Sequence, residues 1–221
     1  MMQIAGFEKF STVDFPGMLS AVVFTAGCNW NCWFCHNRAA LAAETSISTA
    51  EVMQFLSRRA GLLDGVVVSG GEPTLQRDLP AFLAQLRGAG YRVKLDTNGS
   101  MPEVIEAVLK AGLADYVAVD FKARPDRYQK DTGCGDPGAV RETVRMLRAG
   151  RVPFEVRTTV IPGVDARALR EICSYIGEVP LYALQLYRPA LKCGADSGNP
   201  GVLEKLRNSM LDVQPHVVIR A

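Results

Sequence analysis

The sequence predicts an α/β protein, a partial (β/α)6 TIM-like barrel of parallel strands with outer helices. Three observations favour this fold. Short apolar runs alternate with helical patterns six times along the chain. The runs are mostly apolar, which is typical of strands buried on both faces of a parallel sheet. The chain has 221 residues, whereas a full eight-unit barrel typically has about 250.

The predicted strands are rich in valine, leucine and other apolar residues, as buried strands are. They are residues 20–25, 65–69, 91–95, 116–119, 153–159 and 181–186, with a further short strand expected at 216–219. A doubly wound sheet stays the alternative, because periodicity does not separate it from an incomplete barrel.

Each predicted helix follows a predicted strand, and all but the second are predicted to start at a cap or a proline. Ser48 and Glu51 have the spacing of a capping box and predict the start of the first helix. The second helix is predicted from leucines and a phenylalanine that recur at helical spacing between Leu79 and Leu86. The remaining helices are expected after Ser100, Asp136, Asp165 and Asn199.

Length and charge narrow the function classes. The length predicts a single domain over residues 1–221. The net charge is only +2 and the basic residues form no run, so nothing favours a nucleic-acid partner. No apolar stretch approaches the length of a membrane span. Cysteine thiols fit a reducing compartment, which predicts a cytoplasmic protein.

Three cysteines, Cys28, Cys32 and Cys35, form a C-x3-C-x2-C pattern with no fourth cysteine nearby. Three thiolates can hold three irons of a [4Fe–4S] cluster and leave the fourth iron open to a substrate, whereas an electron-carrying cluster normally takes four. A structural zinc site is the alternative, but it needs four ligands. His36 is a poor fourth ligand, since it directly follows Cys35.

The other cysteines, Cys134, Cys173 and Cys193, are scattered and have no ligand spacing. We expect them to be partly buried small hydrophobic residues. Six cysteines in 221 residues are too few for a disulfide framework. A second cluster built from the scattered three is a weaker alternative.

Polar residues recur where the predicted strands end. In barrel-like α/β folds the chemistry gathers at the carboxyl ends of the parallel strands. The residues at or just after these ends are Cys28, Gly70-Gly71-Glu72, Asp96-Thr97-Asn98, Asp120 with Lys122, Arg157 and Gln185.

The cysteine spacing, followed by Gly70-Gly71-Glu72-Pro73, resembles the radical SAM superfamily. The resemblance implies that the open iron binds S-adenosylmethionine (SAM) through its amino and carboxylate groups. It also implies reductive cleavage of SAM to a 5′-deoxyadenosyl radical.

The same resemblance implies roles for particular residues. A carboxylate and an amide after the third strand can take the ribose hydroxyls. Helix capping for Asp96 and Asn98, and plain ion pairs for Lys122 and Arg157, are the structural alternatives. The implied SAM contacts are Phe34 near the adenine, Gly70, Gly71 and Glu72 near the amino group, Asp96 and Asn98 at the ribose, and Lys122 and Arg157 near the carboxylate. Asp96 and Asp120 match residues that hold a monovalent cation beside SAM.

Further motifs resemble glycyl-radical-enzyme activating enzymes. They are Ser11–Gly17 (STVDFPG), Cys35-His36-Asn37, and the Y-x-x-x-T-G segment Tyr128–Gly133, which would lie where the partner peptide enters. The stretch Gln185–Pro189 (QLYRP) resembles the activating proteins of anaerobic ribonucleoside-triphosphate reductase.

The resemblance implies that a flavodoxin or ferredoxin reduces the cluster and that a glycine of the reductase receives the radical. One alternative keeps the chemistry but changes the partner to pyruvate formate-lyase or another glycyl-radical enzyme. Another is a radical SAM enzyme that acts on a small molecule. The last is a zinc- or cluster-binding module without SAM chemistry.

Overall fold

The computed structural model describes residues 2–38, 47–133, 136–187 and 200–220. These residues form an α/β fold, and every helix among them is too short or too polar to span a membrane. The strands are β1 (Ile4–Ser11), β2 (Ser20–Thr25), β3 (Gly65–Gly70), β4 (Arg92–Thr97), β5 (Tyr116–Asp120), β6 (Phe154–Val160), β7 (Tyr182–Leu186) and β8 (Val217–Arg220). The α-helices are α1 (Thr49–Ser57), α2 (Leu79–Gly88), α3 (Pro102–Lys110), α4 (Tyr128–Thr132), α5 (Gly138–Ala149), α6 (Ala166–Ile176) and α7 (Pro200–Asn208).

The strands follow one another in the sheet in the same order as in the sequence, from β1 to β8. Strands β2, β3 and β4 are parallel, as are β6, β7 and β8. A doubly wound sheet would reverse its strand order at a switch point, and this order does not reverse. The α/β class with a mostly parallel sheet is therefore confirmed, and the order is the one expected of a partial barrel.

The structure adds an antiparallel edge strand that the sequence did not predict. Strand β1 places Ile4 opposite Thr25 and Ser11 opposite Ser20. Its burial alternates poorly, because Glu8, Lys9 and Phe10 are all exposed. Such a strand lacks the apolar run by which buried strands are recognised. The short strand expected near the C-terminus is confirmed as β8.

Two compact units make up the chain. The first unit is Met1–Asn29, Asn37–Thr97 and Glu103–Ala118, and the second is Trp30–His36, Asn98–Pro102 and Val119–Ala221. The single domain over residues 1–221 stays a prediction.

The first unit has its core on β2, β3 and β4. Phe15 packs with Val22 and Val67, and all three are buried. The predicted capping box at α1 is confirmed, since the Ser48 hydroxyl accepts from the Glu51 N–H at 3.2 Å and the Glu51 carboxylate accepts from the Ser48 N–H at 2.7 Å. The unit thus holds three parallel strands whose carboxyl ends lie side by side.

The second unit has its core on β6 and β7. The Thr158 hydroxyl donates to the Phe121 carbonyl and shares a hydrogen bond of 2.7 Å with the Tyr182 hydroxyl. Asp165 caps α6 as predicted, because its carboxylate accepts from the Ala168 N–H at 2.8 Å. These contacts fix β6, the strand that carries Arg157.

Candidate functional site

In the first unit, the backbone after β2 is joined to the backbone after β3. The Gly71 N–H donates to the Thr25 carbonyl at 2.9 Å, and the Glu72 N–H donates to the Gly27 carbonyl at 2.8 Å. Gly27 directly precedes Cys28, so the glycine turn supports the start of the cysteine loop. The side-chain amide of Asn37 donates to the Gly70 carbonyl at 3.2 Å and adds to the same connection.

Gly70 and Gly71 are required by this close approach. A Cβ atom on Gly70 would lie 2.2 Å from the Thr25 backbone nitrogen, and Gly70 has φ +119°, which side-chain-bearing residues rarely adopt. A Cβ atom on Gly71 would lie 1.8 Å from the Gly27 carbonyl oxygen. The two glycines therefore form a backbone cradle beside the loop that carries Cys28.

Glu72 is fully buried, and its carboxylate is used within the first unit. One oxygen accepts from the Thr74 N–H at 3.1 Å, the Thr74 hydroxyl at 2.6 Å and the Thr97 hydroxyl at 2.7 Å. These bonds tie the turn after β3 to the end of β4. Glu72 thus holds the shape of the turn.

Asp96 is buried at the end of β4 and has a partner that sequence reasoning missed. The Lys94 ammonium lies 2.6 Å from one Asp96 carboxylate oxygen, and the Ser69 hydroxyl lies 3.3 Å from the other. Lys94 and Asp96 are two residues apart on one strand and so point to the same face. That spacing was the signal available in the sequence.

In the second unit, the cysteine loop is anchored on α4. The Asn31 N–H donates to the Thr132 carbonyl at 2.8 Å. Trp30 packs edge-on against Tyr128, with ring centroids 5.5 Å apart. Tyr128 and Thr132 are fully buried, so they support the loop from inside. The position of this segment at a peptide entrance stays a prediction.

Aromatic side chains next to Cys35 in the sequence form a cluster with Tyr187 in the second unit. Phe34 is buried, whereas Trp33 is 50% exposed, and their rings meet edge-on at 5.4 Å. Tyr187, just after β7, contacts Trp33 at 5.8 Å and stacks on His36 at 5.9 Å. Solvent exposure tunes the potential of an iron–sulfur cluster, and aromatic side chains beside a cluster reduce that exposure. Sequence reasoning did not single out Tyr187, because nothing local links it to the loop.

Asp120, Lys122 and Arg157 form a charged triad in the second unit. The Lys122 ammonium lies 3.0 Å and the Arg157 guanidinium 2.7 Å from the Asp120 carboxylate. Burial would raise the pKa of Asp120, but the charges of Arg157 and Lys122 outweigh it and hold that pKa well below its ordinary range. With two cations and one anion, the triad carries a net positive charge and is suited to an anionic ligand group.

The triad is electrostatically linked to the cysteine loop. Burial would lower the pKa of Lys122, but the charge of Asp120 and that of the Cys32 thiolate raise it above its ordinary value. The pKa of Lys122 therefore responds to the charge of the cysteine loop.

Replacing Asp120 with asparagine is expected to change how stability depends on pH. The lowered pKa in the folded state means that the contribution of Asp120 is fully present above the ordinary value of 3.8 and is lost as the pH falls below it. The difference in unfolding free energy between wild type and Asp120→Asn should be largest above about pH 5 and shrink towards about pH 3. Urea titrations measure it, and a difference that does not vary with pH would contradict the triad.

Asn98 and Arg157 lie in surroundings that differ from those expected from the sequence. Asn98 is buried and its side-chain oxygen accepts from the Ser100 N–H at 2.9 Å, which is the capping-type role left open by the sequence. Arg157 lies in the middle of β6 rather than near its end, because the strand continues to Val160. Its long side chain still reaches Asp120 at the end of β5.

None of the four described cysteines forms a disulfide. Cys32 and Cys173 are buried, whereas Cys28 and Cys35 are partly exposed. The expectation of a small buried residue is confirmed for Cys173, on α6. Cys134, Cys193 and the end of the predicted reductase motif, Arg188-Pro189, lie outside the described residues.

The residues fit the implied cluster and SAM but not the implied cation. In the first unit the backbone cradle lies beside the loop that carries Cys28, and in the second unit the cationic triad suits a ligand with a carboxylate. Cysteine thiolates are the ligands that an iron–sulfur cluster needs. Asp96 and Asp120 are instead already paired with ammonium or guanidinium groups. No group of three or more His, Cys, Asp or Glu in the described ranges is arranged to hold a metal ion, so the cysteine assignment rests on the motif.

Comparison with known proteins agrees with this chemistry. The model of the radical SAM superfamily matches residues 22–176. A Methanocaldococcus jannaschii protein named "Putative glycyl-radical enzyme activating enzyme" is 36% identical over 194 residues, which are 84% of this chain and 80% of the relative. The pyruvate formate-lyase-activating enzyme of Streptococcus mutans is 30% identical over 174 residues, 72% of this chain and 65% of the relative.

A solved structure shares the fold. Streptococcus suis SuiB bound to S-adenosylmethionine superposes with a TM-score of 0.69 at 12% identity, covering 88% of this chain and 48% of SuiB. The family implies a [4Fe–4S] cluster and SAM as cofactors. The chain belongs to the radical SAM superfamily and is a homologue of its glycyl-radical-enzyme activating enzymes.

Proposed function

We propose that this enzyme generates the glycyl radical of an anaerobic ribonucleoside-triphosphate reductase. The observation that carries its chemistry is the cationic triad of Asp120, Lys122 and Arg157, an anion-binding group in the same compact unit as Cys32 and Cys35. The reductase as target is supported by the stretch Gln185–Pro189 (QLYRP), and the absence of any cysteine between Cys35 and Gly70 in the sequence supports a single cluster.

We assign the cluster to Cys28, Cys32 and Cys35, with SAM held on its open iron. Lys122 and Arg157 would hold the SAM carboxylate, and the Gly70–Gly71 backbone would receive the amino group. Asp96 and Asn98 would face the ribose, and Phe34 would exclude water beside the adenine. When bound, these cofactors supply the radical that removes a glycine hydrogen from the partner, so no side chain is needed as a general base.

The proposal includes a flavodoxin or ferredoxin as the electron donor and a cytoplasmic setting. Both follow from the cluster, which needs one electron at a time and a reducing compartment for its thiolates. No monovalent cation is included, because the two carboxylates that would hold it already have cationic partners.

Pyruvate formate-lyase is the second candidate target. The similarity to the Streptococcus mutans enzyme named for that target favours it. Because the two targets would share the cluster, SAM and the radical step, only the partner protein separates them.

The test is an anaerobic activation assay with both candidate partners. The reconstituted enzyme is mixed with dithionite, SAM and either the host's reductase or its pyruvate formate-lyase, and the EPR spectrum is recorded. We expect a SAM-dependent glycyl doublet on the reductase, absent with Cys28→Ala and present with Cys173→Ala as the matched control.

Other outcomes would redirect the assignment. A doublet on pyruvate formate-lyase and not on the reductase would replace the target and keep the activase chemistry. Accumulation of 5′-deoxyadenosine with neither doublet would point to a different substrate. If neither a glycyl doublet nor 5′-deoxyadenosine forms, the proposed function itself is overturned.

A further inference from the structure

Lys94 is a fully buried lysine in the middle of a strand. Its side chain is 1% exposed and lies on β4, where it pairs in register with Val67 of β3. Lysine is almost never fully buried unless its charge is paired. The ammonium lies 2.6 Å from the Asp96 carboxylate, which is itself 8% exposed. The pair is thus built into the interior of the first unit.

The short contact has the geometry of a strong, charge-assisted hydrogen bond. Separating the two charges in a buried setting would leave each without compensation, which is strongly unfavourable. The burial of Lys94 gives its ammonium no solvent to move into. A metal cation at the same carboxylate oxygen would have to displace the ammonium, so it competes with a partner that is covalently part of the chain.

Asp120 is equally unsuited to a cation. Lys122 and Arg157 bind one oxygen each of its carboxylate. The triad already has excess positive charge, and a further cation would be repelled. Within each unit, the carboxylate that resemblance assigns to a metal cation therefore has its positive charge supplied by side chains.

We propose that Lys94 is the built-in counter-ion of Asp96, a positioning residue that takes the place of a monovalent metal cation. Its ammonium carries the same unit charge, and it fixes the carboxylate that the proposed function places beside SAM. The enzyme then binds SAM with no requirement for potassium or sodium. This rests on the proposed function only in placing Asp96 at the SAM site.

Two salt titrations of the wild-type enzyme test the proposal. Choline chloride is replaced by potassium or sodium chloride at constant ionic strength, and both the unfolding midpoint of the protein and the SAM dissociation constant of the reconstituted enzyme are measured. A bound ion would raise both stability and SAM affinity in a saturable way. We expect less than about a twofold change in the dissociation constant and no shift of the midpoint.

A variant tests the role of Lys94 directly. Lys94→Met keeps most of the apolar stem and removes the charge, and Lys110→Met, at an exposed lysine paired with Glu106, is the matched control. In choline, Lys94→Met should bind SAM at least about tenfold more weakly, and potassium or ammonium should restore most of that loss. Loss of packing alone would not be rescued by a cation.

The outcomes are distinct. Saturable stabilisation of the wild type by potassium, or at least about tenfold tighter SAM binding in it, would overturn the proposal. So would a Lys94→Met variant that folds and behaves like Lys110→Met. If Lys94→Met does not fold, the wild-type titrations decide. If SAM does not bind in any of the salts, the proposed function is refuted. The unfolding midpoints of wild type and variant in these salts would still test whether Lys94 replaces a metal cation.

Discussion

Replacing any one of Cys28, Cys32 or Cys35 with alanine is expected to abolish both cluster retention and SAM cleavage. With three thiolates for three irons, the motif has no spare ligand, and the loss of one opens a second iron to solvent and oxygen. The measurements are iron and sulfide content, the visible spectrum after anaerobic reconstitution, and 5′-deoxyadenosine formed with dithionite and SAM. All three should fall to background.

Cys173→Ala is the matched control for these variants. Burial raises the pKa of the Cys173 thiol to about 11, against the smaller lowering effects of Gln214 and Arg170, so this thiol is a poor ligand at neutral pH. The variant should keep full iron content and lose only about 1–2 kcal/mol of stability to a small cavity. A cluster lost in Cys173→Ala, or retained without Cys32, would contradict the three-thiolate assignment.

The strands of the parallel sheet were predictable because a buried strand is rich in apolar residues, and such runs can be recognised in the sequence. The run Gly65–Ser69 has three valines that are all fully buried in β3, and the segment predicted at 20–25 is strand β2. Strand β1 was not predictable in this way, because it lies at the end of the strand order and is buried only in part.

The site was predictable where a motif is local and not where partners are distant. Asp120 and Lys122 are two residues apart, so their pairing could be expected from this short spacing, whereas Arg157 reaches Asp120 from another strand. Tyr187 stacks on His36 across a large sequence separation. Such contacts are set by tertiary packing, about which local patterns carry no information.

Lys94 shows a subtler limit of sequence reasoning. Its position two residues before Asp96 places both side chains on one face, and this much is visible in the sequence. Whether that face is buried, and hence whether the lysine must pair or can remain solvated, depends on the neighbouring strand. The structure decides this by covering Lys94 completely.

Gly71→Ala is expected to disturb the cysteine loop and to weaken SAM binding by at least about tenfold. The added Cβ atom would lie 1.8 Å from the Gly27 carbonyl oxygen, and since that oxygen belongs to the backbone, the two chain segments must separate. Their separation would stretch the 2.8 Å hydrogen bond from the Glu72 N–H to the same oxygen. Overpacking of this kind costs about 1–3 kcal/mol, which chemical denaturation of the cluster-free protein measures.

Gly88→Ala is the matched control, because it adds the same methyl group where nothing lies within 4 Å. Gly88 is the last residue of α2, where alanine is the better helix former, so this variant should be neutral or gain up to about 1 kcal/mol. SAM binding to the reconstituted Gly88→Ala enzyme should match wild type. If the unfolding free energy falls in Gly71→Ala and does not fall in Gly88→Ala, the loss is due to the contact between Gly71 and Gly27. Wild-type SAM affinity in Gly71→Ala would show that this contact does not position the site.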